Sequence, residues 1–163
     1  MKSVTDFSFH RIHSAVSPEL GAEVVAIWTQ FGGLDAAEAQ RRLSELVMIV
    51  KNKSGKVIGI STAAKTHLQQ IQNHVYAYRC FILPEFRAPA LDTQMIIRSK
   101  ALLAEASLVD TEKRSVGIVV VVQNELLKNH WRQAVWPGAD MMYIGDTPQG
   151  HHIRIGYFKG SKI

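Results

Sequence analysis

Apolar residues recur along this chain with two periods, and the switches between the periods predict its elements. Phe7 and Phe9 alternate with polar neighbours, with Ile12 joining them, and predict a strand over residues 7–16. Ser17-Pro18-Glu19 then reads as a helix start, with Ser17 as N-cap and Pro18 in the first helical position. Leu20, Val24, Ile27, Trp28 and Phe31 make the core stripe of that helix, which Gly32-Gly33 ends. Asp35 caps a second helix through residue 46, where Ala36, Ala39, Leu43 and Leu46 oppose Arg41, Arg42 and Glu45. Residues 46–50 and 57–66 are rich in β-branched side chains and flank the turn-forming stretch 51–56, as in a hairpin. A polar connector, 67–74, leads to the apolar strand 75–83, which Pro84 stops because proline donates no ladder hydrogen bond.

The next three segments form the predicted centre. Asp92 caps a helix to about residue 109, with Met95, Ile96, Leu102, Leu103, Ala106 and Val109 inward and Gln94, Arg98, Lys100 and Glu105 outward. Residues 115–122 are almost continuously apolar, the pattern of a strand covered on both faces. Strand, long helix and buried strand predict a right-handed crossover between parallel strands. Asn124 caps a further helix through about residue 135, Pro137-Gly138 ends it, and residues 140–145 and 152–158 form a closing antiparallel pair. The result is an α/β fold, a three-layer sandwich around a mixed sheet, in a single domain over 1–163.

Composition narrows the function classes. A chain of 163 residues with 47% hydrophobic and 20% charged residues is an ordinary globular domain. A net charge of +5 permits an anionic partner, but no basic stripe is interleaved with exposed aromatics, so nucleic-acid binding is not expected. Residues 1–10 carry no signal-peptide apolar run and no stretch reaches membrane-spanning length, so the expectation is a cytoplasmic protein without a membrane segment. Cys80, the only cysteine, excludes an internal disulfide and reads as a small core residue of its strand. His151 and His152 point to opposite faces of a strand without a third ligand, so no metal site is expected. Tyr76 and Tyr78 share a strand face and read as packing residues. Phosphate-loop and nucleophile-elbow motifs are missing.

The run Phe81-Ile82-Leu83-Pro84-Glu85-Phe86-Arg87, set in this order of elements, resembles the GNAT superfamily of acyl-CoA-dependent N-acetyltransferases over essentially the whole chain. There the fourth strand enters the cofactor loop through hydrophobic residues, Pro-Glu, an aromatic and Arg. Asn124, between the apolar strand and the next helix, is a second match. The resemblance implies acetyl-CoA or another acyl-CoA as cofactor and a small-molecule or protein amine as acceptor, with the donor lying between the two central parallel strands. It implies that the backbone of Phe81, Ile82 and Leu83 holds the pantetheine arm. It further implies that Arg87, Ala88, Pro89, Ala90, Leu91, Asp92 and Thr93 hold the pyrophosphate, and that Asn124 lies near the thioester.

The family loop carries Gly and then Gly or Ala where this chain has Ala90 and Asp92. A carboxylate at a helix start competes for the N–H groups a pyrophosphate needs and repels it. Arg87, Arg98 and Lys100 are the cations available to offset it. Two readings follow: an N-acyltransferase, or a GNAT-fold binding or interaction module that has lost CoA binding. The family's tyrosine acid falls seven positions after Asn124, on Trp131, whose indole N–H is no acid. Tyr78, on the strand near which the family binds its acceptor, and His130 are then the catalytic candidates, and a homodimer is compatible with this reading.

Overall fold

The computed structural model describes residues 4–12 and 15–163. Its strands and α-helices, in chain order, are β1 (Phe7–Arg11), α1 (Pro18–Phe31), α2 (Ala36–Arg42), β2 (Leu46–Asn52), β3 (Val57–Leu68), β4 (Asn73–Ile82), α3 (Pro89–Ser107), β5 (Gly117–Val122), α4 (Glu125–His130), β6 (Val135–Trp136), β7 (Met141–Asp146) and β8 (His152–Tyr157). The strands form a mixed sheet in the order β1-β2-β3-β4-β5-β8-β7-β6, so the expected α/β class holds. Two compact units divide the chain, one of residues 1–62 and 80–92, the other of 63–79 and 93–163.

In the first unit, Ser17 Oγ accepts from the Leu20 N–H at 3.2 Å and starts α1 where the sequence placed it. Val24, Ile27 and Trp28 are buried, but Phe31 is 45% exposed. The expected stripe therefore closes one turn early, because the chain leaves the helix at Gly32 and reverses through Gly33 at φ +69°. Asp35 caps α2 by accepting from Glu38 N–H at 2.8 Å. That helix ends at Arg42, not at residue 46, and a 3-10 turn, Leu43–Glu45, tightens into β2. Leu46 to Val50 are all buried and β2 pairs with both β1 and β3, so burial as a strand overrides the helical stripe at Leu46. β1 spans Phe7–Arg11, and of the longer strand expected to residue 16, residues 13 and 14 lie outside the described residues. In the β2–β3 turn, Asn52 Oδ1 accepts from the N–H groups of Ser54 and Lys56 at 3.1 and 3.0 Å.

In the second unit the expected connector 67–74 is mostly not a connector. β3 runs on to Leu68, Gln69–Ile71 make one 3-10 turn, and Gln72 at φ 50° returns the chain into β4 at Asn73. β4 and β5 pair in parallel, Tyr76 with Ile118 and Ala77 with Val119, as the crossover required. β5 pairs antiparallel with β8, and β8 with β7. Val75, Val116, Val119 and Ile155 form a buried cluster against which Leu68, Ile71, Ala77, Ile144, Ile153 and Tyr157 pack.

Three expectations are corrected here. The buried stripe of α3 in this unit is Met95, Ile96, Ser99, Leu103 and Ser107, whereas Ala106 is exposed and Val109 is 85% exposed. Small serines, not the C-terminal apolar residues, continue the inward face at steps of four. Lys100, expected outward, is half-buried, with Nζ 3.4 Å from the Ala139 carbonyl oxygen. Gly156 makes this possible, since a Cβ there would meet Lys100 Cε and Nζ at 3.3 Å and Met141 Sδ at 2.6 Å. The strand β5 is covered less fully than its sequence predicted, because Val121 is 43% exposed.

The helix after Asn124 also stops at His130 and not near residue 135. Arg154, 1% exposed on β8, donates from its guanidinium to the carbonyl oxygens of Met141, Ala134 and Trp131 at 3.2, 3.3 and 3.5 Å. The Trp136 indole N–H donates to the Trp131 carbonyl at 2.9 Å. These donors take the carbonyls a continuing helix would need, and Val135-Trp136 pair with β7 instead.

Candidate functional site

The passage from Phe81 to Asp92 lies within the first unit and is built by three successive stops. Ile82 ends β4, and the Leu83 N–H is taken by the Ile58 carbonyl at 2.9 Å. Pro84 forbids further ladder bonding and starts a 3-10 turn, Pro84–Phe86, closed by Phe86 N–H to Leu83 O at 2.9 Å and Arg87 N–H to Pro84 O at 3.3 Å. The Phe86 ring meets Phe7 edge to face at 6.1 Å, which fixes the turn on β1. Arg87 folds back over the strand it left: its Nε donates to Ile82 O at 3.0 Å and its guanidinium lies 5.7 Å from the Phe81 ring centroid. Phe81 is half-buried, while Ile82 and Leu83 are buried.

The helix α3 begins at Pro89, three residues before the expected cap, so Asp92 is not its N-cap but the fourth helical residue. The Ala88 carbonyl accepts from the N–H groups of both Leu91 and Asp92, at 3.0 and 3.2 Å. Proline in the first helical position has no N–H. Of the first-turn amides, the Ala90 N–H is therefore the one without a backbone acceptor in the helix. Ala88 and Ala90 are exposed, and Leu91 anchors the turn at 1% exposure. The Asp92 carboxyl is half-buried, and that burial raises its pKa from 3.8 to about 6, with the Arg87 charge opposing the rise.

The remaining candidates belong to the second unit. Tyr78 is buried in β4, and Thr93 is half-buried in α3. Asn124 is spent as the cap of α4: its Oδ1 accepts from Leu126 and Leu127 N–H at 3.0 and 3.3 Å, which leaves its amide NH2 for a ligand. His130 is exposed, and its ring stands edge-on to Trp131 at 4.7 Å. His151 and His152 join no metal-ligand cluster among the described residues.

Sequence reasoning passed over Arg154 and set Lys100 outward, as a cation to offset Asp92, whereas its Nζ lies 3.4 Å from the Ala139 carbonyl oxygen. Burial lowers the pKa of both, opposed by Asp140 at Lys100 and by Tyr143 at Arg154. Arg154 stacks 4.6 Å from the Trp136 ring centroid and 5.9 Å from that of Tyr143. The available signals were Gly156, a gap in an apolar strand that admits the lysine stem, and an arginine alternating with isoleucines at 153 and 155.

No sequence family and no curated protein matches the chain. Solved structures match its fold. A GNAT superfamily phosphinothricin acetyltransferase from Sinorhizobium meliloti in complex with acetyl-CoA is 11% identical, with a TM-score of 0.62 over 96% of this chain and 92% of its own. A GNAT-family acetyltransferase from Listeria monocytogenes is 15% identical, with a TM-score of 0.56 over 93% and 95%. A mutant AtaT toxin bound to the C-terminus of the antitoxin AtaR and acetyl-CoA is 11% identical, with a TM-score of 0.56 over 92% and 93%.

Proposed function

The chain has the fold of the GNAT acetyltransferases, and from that premise we propose that it is an N-acyltransferase moving an acetyl or related acyl group from acyl-CoA to a small-molecule or protein amine. The observation that carries this reading is the passage from β4 through the Phe86-Arg87 turn into the proline-started α3. It sets an arginine beside the first turn of a 19-residue helix, whose dipole favours an anion at that end. Arg87 pairs with a pyrophosphate oxygen, the Ala90 N–H donates to another, and the Phe81 backbone carries the pantetheine, since the Leu83 N–H and Ile82 carbonyl are already bonded. For the second unit the resemblance supports the roles of Asn124 toward the thioester, Thr93 toward the pyrophosphate, and Tyr78 and His130 as acid and base candidates. The amine attacks the thioester carbonyl, the C–S bond breaks, and the thiolate leaves with the proton the amine releases.

The second reading, a GNAT-fold interaction module without CoA, is favoured by Asp92 and by the single unbonded amide of the first turn. A calorimetric titration with acetyl-CoA separates the two. The acyltransferase reading predicts saturable binding that Arg87→Ala weakens about tenfold or more, the worth of one charge-assisted hydrogen bond. Absence of binding at millimolar acetyl-CoA overturns it in favour of the module.

A further inference from the structure

A second polar cluster lies far along the first unit's sequence from the loop just described, at the end strand of the sheet. A cleft of about 390 Å³ opens between β1 and the β2–β3 turn. The register opposes Ser8 to Lys51. Directly opposed residues of antiparallel strands share a face, as do residues two apart on one strand, so Ser8, His10 and Lys51 stand on the same face. Ser8 Oγ is 2.8 Å from His10 Nε2. At the mouth, Lys53 Nζ and Asp6 pair at 2.6 Å and neutralise each other. Lys51 is left as a cation for which no acidic partner occurs among the described residues.

From this arrangement we propose that the cleft is a binding site for a phosphate monoester group, separate from the acyl-CoA loop. Lys51 supplies a point charge with three donors, and Ser8, held by the His10 ring nitrogen, supplies a hydroxyl from a second direction. Lysine binds phosphate as a point charge, and donors converging from different directions fit a tetrahedral oxyanion. The Ser8 hydroxyl donates to the Lys51 carbonyl oxygen at a long 3.5 Å, and with the imidazole donating through Nε2 to Ser8 Oγ a phosphate oxygen takes that hydrogen in place of the carbonyl. The openness of the site suits a phosphate carried on a larger molecule, and the same chemistry is offered by a nucleoside monophosphate or by a phosphorylated side chain.

The test is a nuclear magnetic resonance titration of the full chain with inorganic phosphate, adenosine monophosphate and O-phosphoserine, with sodium chloride at matched ionic strength as control. Saturable shifts at Ser8, His10 and Lys51 are expected for the phosphates and not for chloride. Affinity should fall at least tenfold in Lys51→Ala and His10→Ala and be largely kept in Lys51→Arg, all of them with an unchanged far-ultraviolet spectrum. A preference for adenosine monophosphate or for O-phosphoserine identifies the source of the group. Shifts no larger than those from chloride, or affinity unchanged in Lys51→Ala, overturn the proposal. Acetyl-CoA binding is read separately, in the Arg87 and Asp92 variants.

Discussion

Asp92 concentrates the chemistry of this chain in one residue. Its pKa in the folded protein, about 6, stands above the ordinary 3.8 because burial disfavours its charge. Between those values the folded state binds more protons than the unfolded one, so stability from this group is full below about pH 4 and is lost as pH rises through about 6. Asp110 and Glu38, held near 2 by Lys65 and by Arg41 and Arg42, work in the opposite direction at lower pH. The Asp92 effect is isolated by comparison with Asp92→Asn: the variant should match the parent near pH 4 and exceed it by about 1–3 kcal/mol at pH 7. Urea unfolding at both pH values checks this, and equal stability at pH 7 would show that the carboxylate pays no burial penalty. Arg154 provides a second residue-scale prediction. Its three carbonyl acceptors and two aromatic rings lose their common partner in Arg154→Ala, which should destabilise by about 2–4 kcal/mol. Arg41→Ala, which removes exposed ion pairs, should leave the unfolding midpoint unchanged.

Among the elements, the starts of α1, α2 and α4 were legible, as was the end of α1 at Gly32, whereas the ends of α2 and α4 were not. Ser17, Asp35 and Asn124 each cap the helix they were expected to cap, since an N-cap is a local bond between a side chain and an amide two or three residues on. Ser17→Ala should accordingly cost about 1 kcal/mol in the same urea measurement. Those two ends depend on residues distant in sequence. The helix α4 stops at His130 because Arg154, more than twenty residues on, draws carbonyls out of the helical path. The helix α2 stops because Leu46 is claimed by a buried strand. The start of α3 was misread for a related reason: Asp92 has the chemistry of a cap, but the proline in the first position and the doubly accepting Ala88 carbonyl set the start at Pro89. Lys100 faces inward only because Gly156, on another element, leaves it room.

At the scale of the whole molecule, the order of elements apart from β6 and the parallel pairing of β4 with β5 were readable from hydrophobic periods, caps and turn residues, and the fold they imply is the one its solved neighbours share. The candidate site was legible as a stretch of sequence, Phe81 to Asp92, but not as a count of available donors. That count depends on which amides the first turn of α3 spends on Ala88. The charge is divided unevenly: residues 1–62 and 80–92 hold eight Lys and Arg against eight Asp and Glu, while residues 63–79 and 93–163 hold eleven against six. The excess of +5 therefore belongs to the second unit, and the first unit's own residues sum to no net charge.

The most direct measurement is calorimetric titration of acetyl-CoA into the parent protein and Asp92→Asn at pH 7. The acyltransferase account predicts that both bind, that the variant binds tighter by about tenfold because a like charge has left the pyrophosphate turn, and that Arg87→Ala weakens both. Binding by neither protein, or equal affinity in the two, would contradict it.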